Sequence, residues 1–213
     1  MRDSPDAAKT AVLLIEDHPL MRRGLAACLE DTGRFSVTGS VGSLKEGRRF
    51  IEGAGKGVFP KLVILDIHLG AENGLEFIEF FRGFCKTRGI AMPAVLVCSV
   101  LEDPFRVRTA LRMGAAGYIH KSTGEIELLR SIETVLSGGE YIDPRLQVKL
   151  GRDSGGYSKF TRREEQILTM IKQNYTNQRI AAELFISLRT VENHISHIYL
   201  KTSRYTRQEL VDY

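Results

Sequence analysis

Apolar positions follow two alternating rhythms through the first two thirds of the chain. Short runs, "AVLLI" (11–15), "FSVTG" (35–39), "KLVIL" (61–65), "PAVLVCS" (93–99) and "AGYIHK" (116–121), are dense in β-branched and aliphatic residues and predict strands. Between them, segments near 19–31, 43–53, 73–84, 104–113 and 124–137 carry apolar residues at helical spacing. A βα unit repeated five times predicts an α/β fold, a doubly wound parallel sheet covered on both faces. Gly138 and Gly139 stop the fifth helix, and "EYIDPRLQVKLGRDSGGYSK" then mixes a Pro-started helical turn with a Gly/Ser-rich stretch that serves as a link. From Lys159 onward the strand rhythm disappears. Helical segments at about 161–173, 177–184, 188–202 and 206–213 predict an all-α unit of four helices. The chain therefore divides into 1–138, a linker at 139–158, and 159–213.

Composition narrows the class without changing that picture. A hydrophobic content of 43% over 213 residues is enough to build two cores, so disorder is not the expectation. The chain shows neither an apolar run of membrane-spanning length nor the apolar core of a secretory signal in "MRDSPDAAKT", which predicts a cytoplasmic protein with no membrane partner. Cys28, Cys85 and Cys98 are odd in number, widely spaced and set among apolar residues; they read as core residues, not as a disulfide framework or zinc site. From Tyr157 to Tyr213 nine Lys/Arg face six Asp/Glu, so this region holds +3 of the total formal charge of +4. The excess lies in the helical unit, where it permits contact with nucleic acid.

Candidate chemistry sits at the strand ends. Ligands of a parallel α/β sheet bind outside the carboxyl ends of its strands. Read there, the first strand ends in Glu16-Asp17, the third in Asp66, the fourth in Ser99 and the fifth in Lys121. Any one of these residues alone suits a helix cap or a solvated turn. As a set, three carboxylates at one edge repel one another and call for a cation, and an all-oxygen site of this kind suits Mg²⁺ with room left for a phosphoryl group. Asp66 is then the nucleophile that accepts the phosphoryl group, Lys121 pairs with one of its oxygens, and Ser99 donates its hydroxyl to another.

The tail has its own logic. Thr161 with Glu164 suggests a capping box, with Ile167, Leu168 and Ile171 as the buried stripe of the first helix. Asn177 opens a short second helix, "FIS" makes a turn, and Ser187 caps the third. Two helices joined by so tight a turn suggest helix-turn-helix, whose second helix enters the major groove of duplex DNA. Arg189, Thr190, Glu192, Asn193, Ser196 and His197 give it a polar outward face, with Val191, His194, Ile195 and Ile198 turned mainly inward. Glu192 suits a cytosine amino group as its partner. A helical bundle for protein contacts shares this periodicity.

"LLIEDHPLMRRGL", "VILDIHLGAENGLEF", "VLVCSV" and "ALRMGAAGYIHK" resemble the receiver domain of two-component response regulators, a flavodoxin-like (βα)5 fold. "FTRREEQIL", "NQRIAAELFISLRTVENHISHIYLKT" and "RQELV" are similar to the four-helix output domain of LuxR/NarL-type (FixJ-type) regulators. Together the likeness covers nearly the whole chain. It implies a DNA-binding transcription regulator, not an enzyme in the ordinary sense, whose Asp66 takes phosphate from a cognate sensor histidine kinase and slowly loses it. It further implies Mg²⁺ bound by Glu16, Asp17, Asp66 and the backbone carbonyl of His68, and a switch pair of Ser99 and Tyr118. Towards DNA it places Arg189, Glu192, Asn193 and Ser196, with Arg179 and Lys201 near phosphates, reading operator half-sites as a homodimer on activation. Gly70 and Ser122 stand where many receivers carry Pro; Asn174 replaces a common Gly, and Thr202 a common apolar residue. An aspartate-nucleophile phosphatase, the enzymatic alternative, usually has a second Asp two positions after the nucleophile, where this chain has His68. An RNA- or protein-binding output domain is the other alternative.

Overall fold

The computed structural model describes residues 9–55, 59–70, 72–100, 103–152, 160–202, 204 and 206–213. Contacts divide the chain into two compact units. One comprises Met1–Val100 with Gly114–Asp143, the other Leu101–Met113 with Pro144–Tyr213.

In the first unit, β1 (Thr10–Ile15), β2 (Phe35–Val41), β3 (Leu62–Leu65), β6 (Ala94–Ser99), β7 (Gly117–His120) and β8 (Tyr141–Ile142) form one parallel sheet in the order β2-β1-β3-β6-β7-β8. A two-residue hairpin, β4 (His68–Leu69) with β5 (Glu72–Asn73), follows β3. Helices α1 (Pro19–Asp31), α2 (Leu44–Gly53), α3 (Leu75–Arg88) and α5 (Glu125–Leu136) complete the βα alternation. The inner strands β1, β3, β6 and β7 are largely buried on both faces, whereas the edge strands β2 and β8 are only partly buried. Val12, Leu14, Leu62, Ile64 and Leu96 pack with Leu25 and Leu29 of α1 and Ile132 and Val135 of α5. Alternate residues turn the other way: a Cβ on Gly47 of α2 would meet Ile15 at 2.8 Å and Phe77 of α3 at 3.1 Å, so helix and strand approach too closely there for a side chain.

This is the flavodoxin-like sheet expected from the sequence, with an extra edge strand. β8 pairs in parallel with β7, and Asp143 N donates to the Tyr118 carbonyl at 2.9 Å. The segment from 139 to 152, expected as linker, thus holds β8 and the helix α6 (Pro144–Arg152). The remainder of the Gly/Ser stretch, 153–159, lies outside the described residues.

In the second unit α4 (Pro104–Met113) and α6 accompany four C-terminal helices, α7 (Arg162–Lys172), α8 (Asn177–Glu183), α9 (Leu188–Thr202) and α10 (Arg207–Val211). Thr161 and Glu164 form the capping box of α7 reciprocally. Ile167, Ile171, Ile180, Val191, Ile198 and Leu210 make the core. α8 begins at Asn177, as expected, and is capped by Thr176, whose hydroxyl accepts from Arg179 N. Asn174, in place of Gly, holds φ +60 after α7, a left-handed conformation that Asn tolerates better than most residues. Thr202 closes α9 with its hydroxyl on the Ile198 carbonyl at 2.8 Å, which satisfies a polar group where an apolar one is common.

Candidate functional site: an acidic strand edge and a helix-turn-helix

Adjacent strands β1 and β3 lie where the chain reverses its direction of travel across the sheet, since β2 lies on one side of them and β6 on the other. Such a switch point opens a crevice at the strands' carboxyl ends. Glu16 and Asp17 leave β1 there and Asp66 leaves β3. Carboxylate oxygens of all three, with a ring nitrogen of His18, lie within 4.8 Å of one another. Glu16 and Asp66 are buried, 2% exposed each.

Lys121, one residue past β7, reaches into this group. Its Nζ is 2.6 Å from Glu16 Oε2 and 2.7 Å from Asp66 Oδ2. Burial pushes the Asp66 carboxyl above its ordinary value, against the opposing hydrogen bonds from Lys121 and from the His68 N–H. For Lys121 burial acts downward, but its hydrogen bonds to Asp66 and Glu16 outweigh it and raise the ammonium pKa. One ammonium thus faces two buried carboxylates, with Asp17 beside them, leaving a negative excess at the edge.

The backbone around Asp66 is held tightly. The N–H of His68 donates to Asp66 Oδ1 at 2.9 Å, and Gly74 N donates to the Ile67 carbonyl at 3.0 Å. A Cβ on Gly74 would lie 2.5 Å from the Asp66 carbonyl oxygen and 2.5 Å from Ile67 Cα, so α3 begins against the very turn that carries the carboxylate. Gly70 holds φ +59 in the β4–β5 turn, a value closed to Pro, which explains why this loop carries Gly where many receivers carry Pro. Sequence reasoning missed Gly74 and His18. Gly74 was visible only as a glycine before a helix, and His18 as a residue ahead of Pro19; His18 Nδ1 lies 3.0 Å from Glu16 Oε1 and 2.8 Å from Asp17 Oδ1. Ser99, ending β6, and Tyr118, inside β7, are both wholly buried. Ser99 O accepts from Lys121 N at 3.0 Å, which ties two of the predicted residues through the backbone.

The donor set fits Mg²⁺ on its chemistry: three carboxylates gathered at one edge and no thiolate among them.

The helix-turn-helix is α8 and α9. Its turn closes with Ile186 N on the Ala181 carbonyl and Phe185 N on that of Ala182, with Phe185 at φ +53. Ser187 caps α9 through Thr190 N at 3.1 Å. Val191, Ile195 and Ile198 face the core, as expected, and His194 is half-buried. Of the polar face, Arg189 is exposed and Thr190 and Asn193 half-buried. Glu192 and Ser196 are buried instead, 5% and 1% exposed, because α4 lies along that side of α9. Arg106 of α4 donates through Nε to Asn193 Oδ1 at 3.1 Å, and its Nη2 is 3.7 Å from Glu192 Oε2. His197 faces Asp103 at 3.7 Å and Glu164 at 3.5 Å. Lys201, expected near phosphate, has a partner within the unit: its Nζ lies 2.6 Å from Oε2 of the buried Glu164, and its side chain is 10% exposed. Arg179 remains at the surface, stacked over the Tyr175 ring at 3.9 Å.

Comparison with known proteins agrees with both halves. The family of response regulator receiver domains matches residues 12–133, and the family of bacterial regulatory proteins of the luxR type matches 158–213. The transcriptional regulatory protein MctR of Rhizobium johnstonii is 31% identical over 207 residues, 96% of this chain and 92% of that protein. UhpA of Salmonella typhimurium, also a transcriptional regulatory protein, is 34% identical over 191 residues, covering 89% and 90%. Among solved structures, RcsB of Salmonella enterica serovar Typhimurium, bound to promoter DNA with the phosphomimetic BeF3⁻, shares the fold at a TM-score of 0.60 and 17% identity over 96% of this chain and 98% of that one. The chain belongs to the two-component response regulators. Within them it is of the LuxR/NarL type, a transcription regulator joining a receiver to a helix-turn-helix domain.

Proposed function

We propose that Asp66 is the phosphoacceptor of this regulator, that a sensor histidine kinase supplies the phosphoryl group, and that phosphorylation controls binding of duplex DNA by α9. The observation that carries this reading is the pairing of Lys121 with both Glu16 and Asp66 at the sheet's switch point. An Asp66 oxygen attacks phosphorus, the bond to the donor's leaving group breaks, and Lys121 shifts from neutralising the carboxylate to pairing with a phosphoryl oxygen. Glu16, Asp17, Asp66 and the His68 carbonyl hold Mg²⁺, which when bound neutralises charge developing on the phosphoryl oxygens. Ser99 donates its hydroxyl to the same group, and Tyr118, buried on the neighbouring strand, responds to that movement.

Arg189, Thr190, Glu192, Asn193, Ser196 and His197 form the base-reading side of α9, and Arg179 contacts phosphate. Two half-sites are read by a dimer formed on activation, which gains affinity through effective concentration. The regulator acts in the cytoplasm; among the described residues no helix is long and apolar enough to cross a membrane. The test is labelling by acetyl phosphate. Wild type takes up the label with Mg²⁺ present and Asp66→Asn does not; equal labelling of the two would refute the assignment.

A further inference from the structure

His18 has no part in the phosphoryl chemistry of the acidic edge, yet its ring is held there. It stands at the N-cap of α1 with extended backbone, and its side chain makes no capping hydrogen bond. The ring turns instead to the carboxylates. Nδ1 is 2.8 Å from Asp17 Oδ1 and 3.0 Å from Glu16 Oε1, and the His18 N–H also donates to Glu16 Oε1 at 3.0 Å. Glu16, Asp17, His18 and Asp66 each offer one ligand atom, and these atoms all lie within 4.8 Å of one another. The His18 side chain is 68% exposed, so the group opens to solvent on the imidazole side, while Glu16 and Asp66 are buried.

An imidazole changes which ion such a group suits. Mg²⁺ takes oxygen ligands in a near-octahedral shell and keeps several waters, and the three carboxylates serve it without any nitrogen. Zn²⁺ accepts imidazole and carboxylate together and is complete with four ligands. Ligands at about 2.0–2.1 Å around a tetrahedral Zn²⁺ stand roughly 3.3 Å apart, so these four donors are nearly in place. Charge agrees. Three carboxylates against the Lys121 ammonium leave an excess that one divalent ion balances.

Resting on the reading of Asp66 as the phosphoacceptor, we infer that Glu16, Asp17, His18 and Asp66 form a closed Zn²⁺ site whose occupation blocks phosphorylation. Asp66 held as a zinc ligand is a poorer nucleophile, because its electron pair is drawn to the metal. A four-coordinate ion with a protein ligand in every position also has no place for a phosphoryl oxygen, whereas Mg²⁺ has waters to exchange. The two ions compete for the same carboxylates, and Zn²⁺ is an antagonist of the phosphoryl switch.

The probes are the metals alone, added to full-length protein: Zn²⁺, and Co²⁺ as its coloured substitute, whose four-coordinate complexes absorb visible light far more strongly than its six-coordinate ones. Wild type takes up Co²⁺ with the intense four-coordinate spectrum, and Zn²⁺ bleaches it. In His18→Ala, whose lost ring is mostly exposed, the preference for Zn²⁺ over Mg²⁺ falls roughly tenfold or more. With Mg²⁺ present, saturating Zn²⁺ suppresses labelling of wild type by acetyl phosphate, and more Zn²⁺ is needed for the same suppression in His18→Ala, each protein being compared with its own labelling in Mg²⁺ alone. Equal metal preference in the two proteins, or a six-coordinate Co²⁺ spectrum in wild type, overturns the site. Labelling of wild type undiminished by Zn²⁺ overturns the antagonism. Failure of wild type to label in Mg²⁺ alone, whatever its affinity for Zn²⁺, overturns instead the phosphoacceptor reading on which the inference rests.

Discussion

Gly74 sits against the backbone of Asp66 so closely that a methyl group on it would lie 2.5 Å from the Asp66 carbonyl oxygen. That neighbour is main chain and cannot rotate away. Gly74→Ala should therefore destabilise the first unit by about 1–3 kcal/mol through overpacking. It should also slow phosphorylation by acetyl phosphate on the order of a hundredfold, the scale of loss for a reacting group displaced by about 1 Å. Melting curves and labelling rates measure both; an Ala variant with wild-type rate would mean that the Asp66 turn does not depend on this contact.

Metal removal separates the roles of the carboxylates. With excess EDTA, labelling of wild type should fall to the level of Asp66→Asn, because Lys121 alone cannot neutralise Glu16, Asp66 and an incoming phosphoryl group. Asp66→Asn itself should melt close to wild type, since Lys121 keeps Glu16 as partner. Full labelling in EDTA would remove the metal from the account.

Acid should weaken the second unit before the first. Burial raises the Glu164 carboxyl, but hydrogen bonds from Lys201 and Thr161 outweigh it and hold its pKa below the usual 4.5. A depressed carboxyl stabilises above its unfolded pKa, and that stability is lost as pH falls through the folded value. His194 has the same sign: burial first, then the neighbouring His197, holds it below 6.5, so the unfolded state binds its proton more readily. Hydrogen exchange of α7 and α9 should show protection falling as pH drops below 6.5, and His194→Gln should flatten the upper part of that decline. Identical pH profiles for the two proteins would exclude His194 as its source.

Lys201 and Arg179 should part company. Lys201→Ala leaves Glu164 buried without its ammonium and should cost about 1–3 kcal/mol of stability with little change in the salt dependence of DNA binding. Arg179→Ala removes a surface charge and should reduce the salt slope by roughly one while stability stays within about 0.5 kcal/mol. Melting and salt titration of both variants decide it. A reduced slope in Lys201→Ala at unchanged stability would return Lys201 to the phosphate backbone.

These cases mark how far the sequence alone could be read. The inner strands and the acidic edge were legible because burial on both faces writes a dense apolar run, and a charge at its end stands out; β2, only partly buried, was legible from its β-branched residues between turn signals. β4, β5 and β8 have two residues each, too few to carry a period. β8 was further disguised by Gly139 before it and Pro144 after it. On α9 the polar stripe correctly separated core from non-core, yet periodicity cannot tell water from a second helix. The burial of Glu192 and Ser196 was invisible for that reason, and the pairing of Lys201 with Glu164 was hidden because the two are thirty-seven positions apart.

The central claim is that the carboxylate at the end of β3 governs whether α9 reads DNA. Its most direct test is a titration of one selected paired-site duplex with full-length protein, with and without Mg²⁺ and BeF3⁻, in wild type and in Asp66→Asn. The account predicts that BeF3⁻ tightens wild-type binding tenfold or more and leaves Asp66→Asn unchanged. Equal affinity of wild type in the two conditions, or the same tightening in Asp66→Asn, would contradict it.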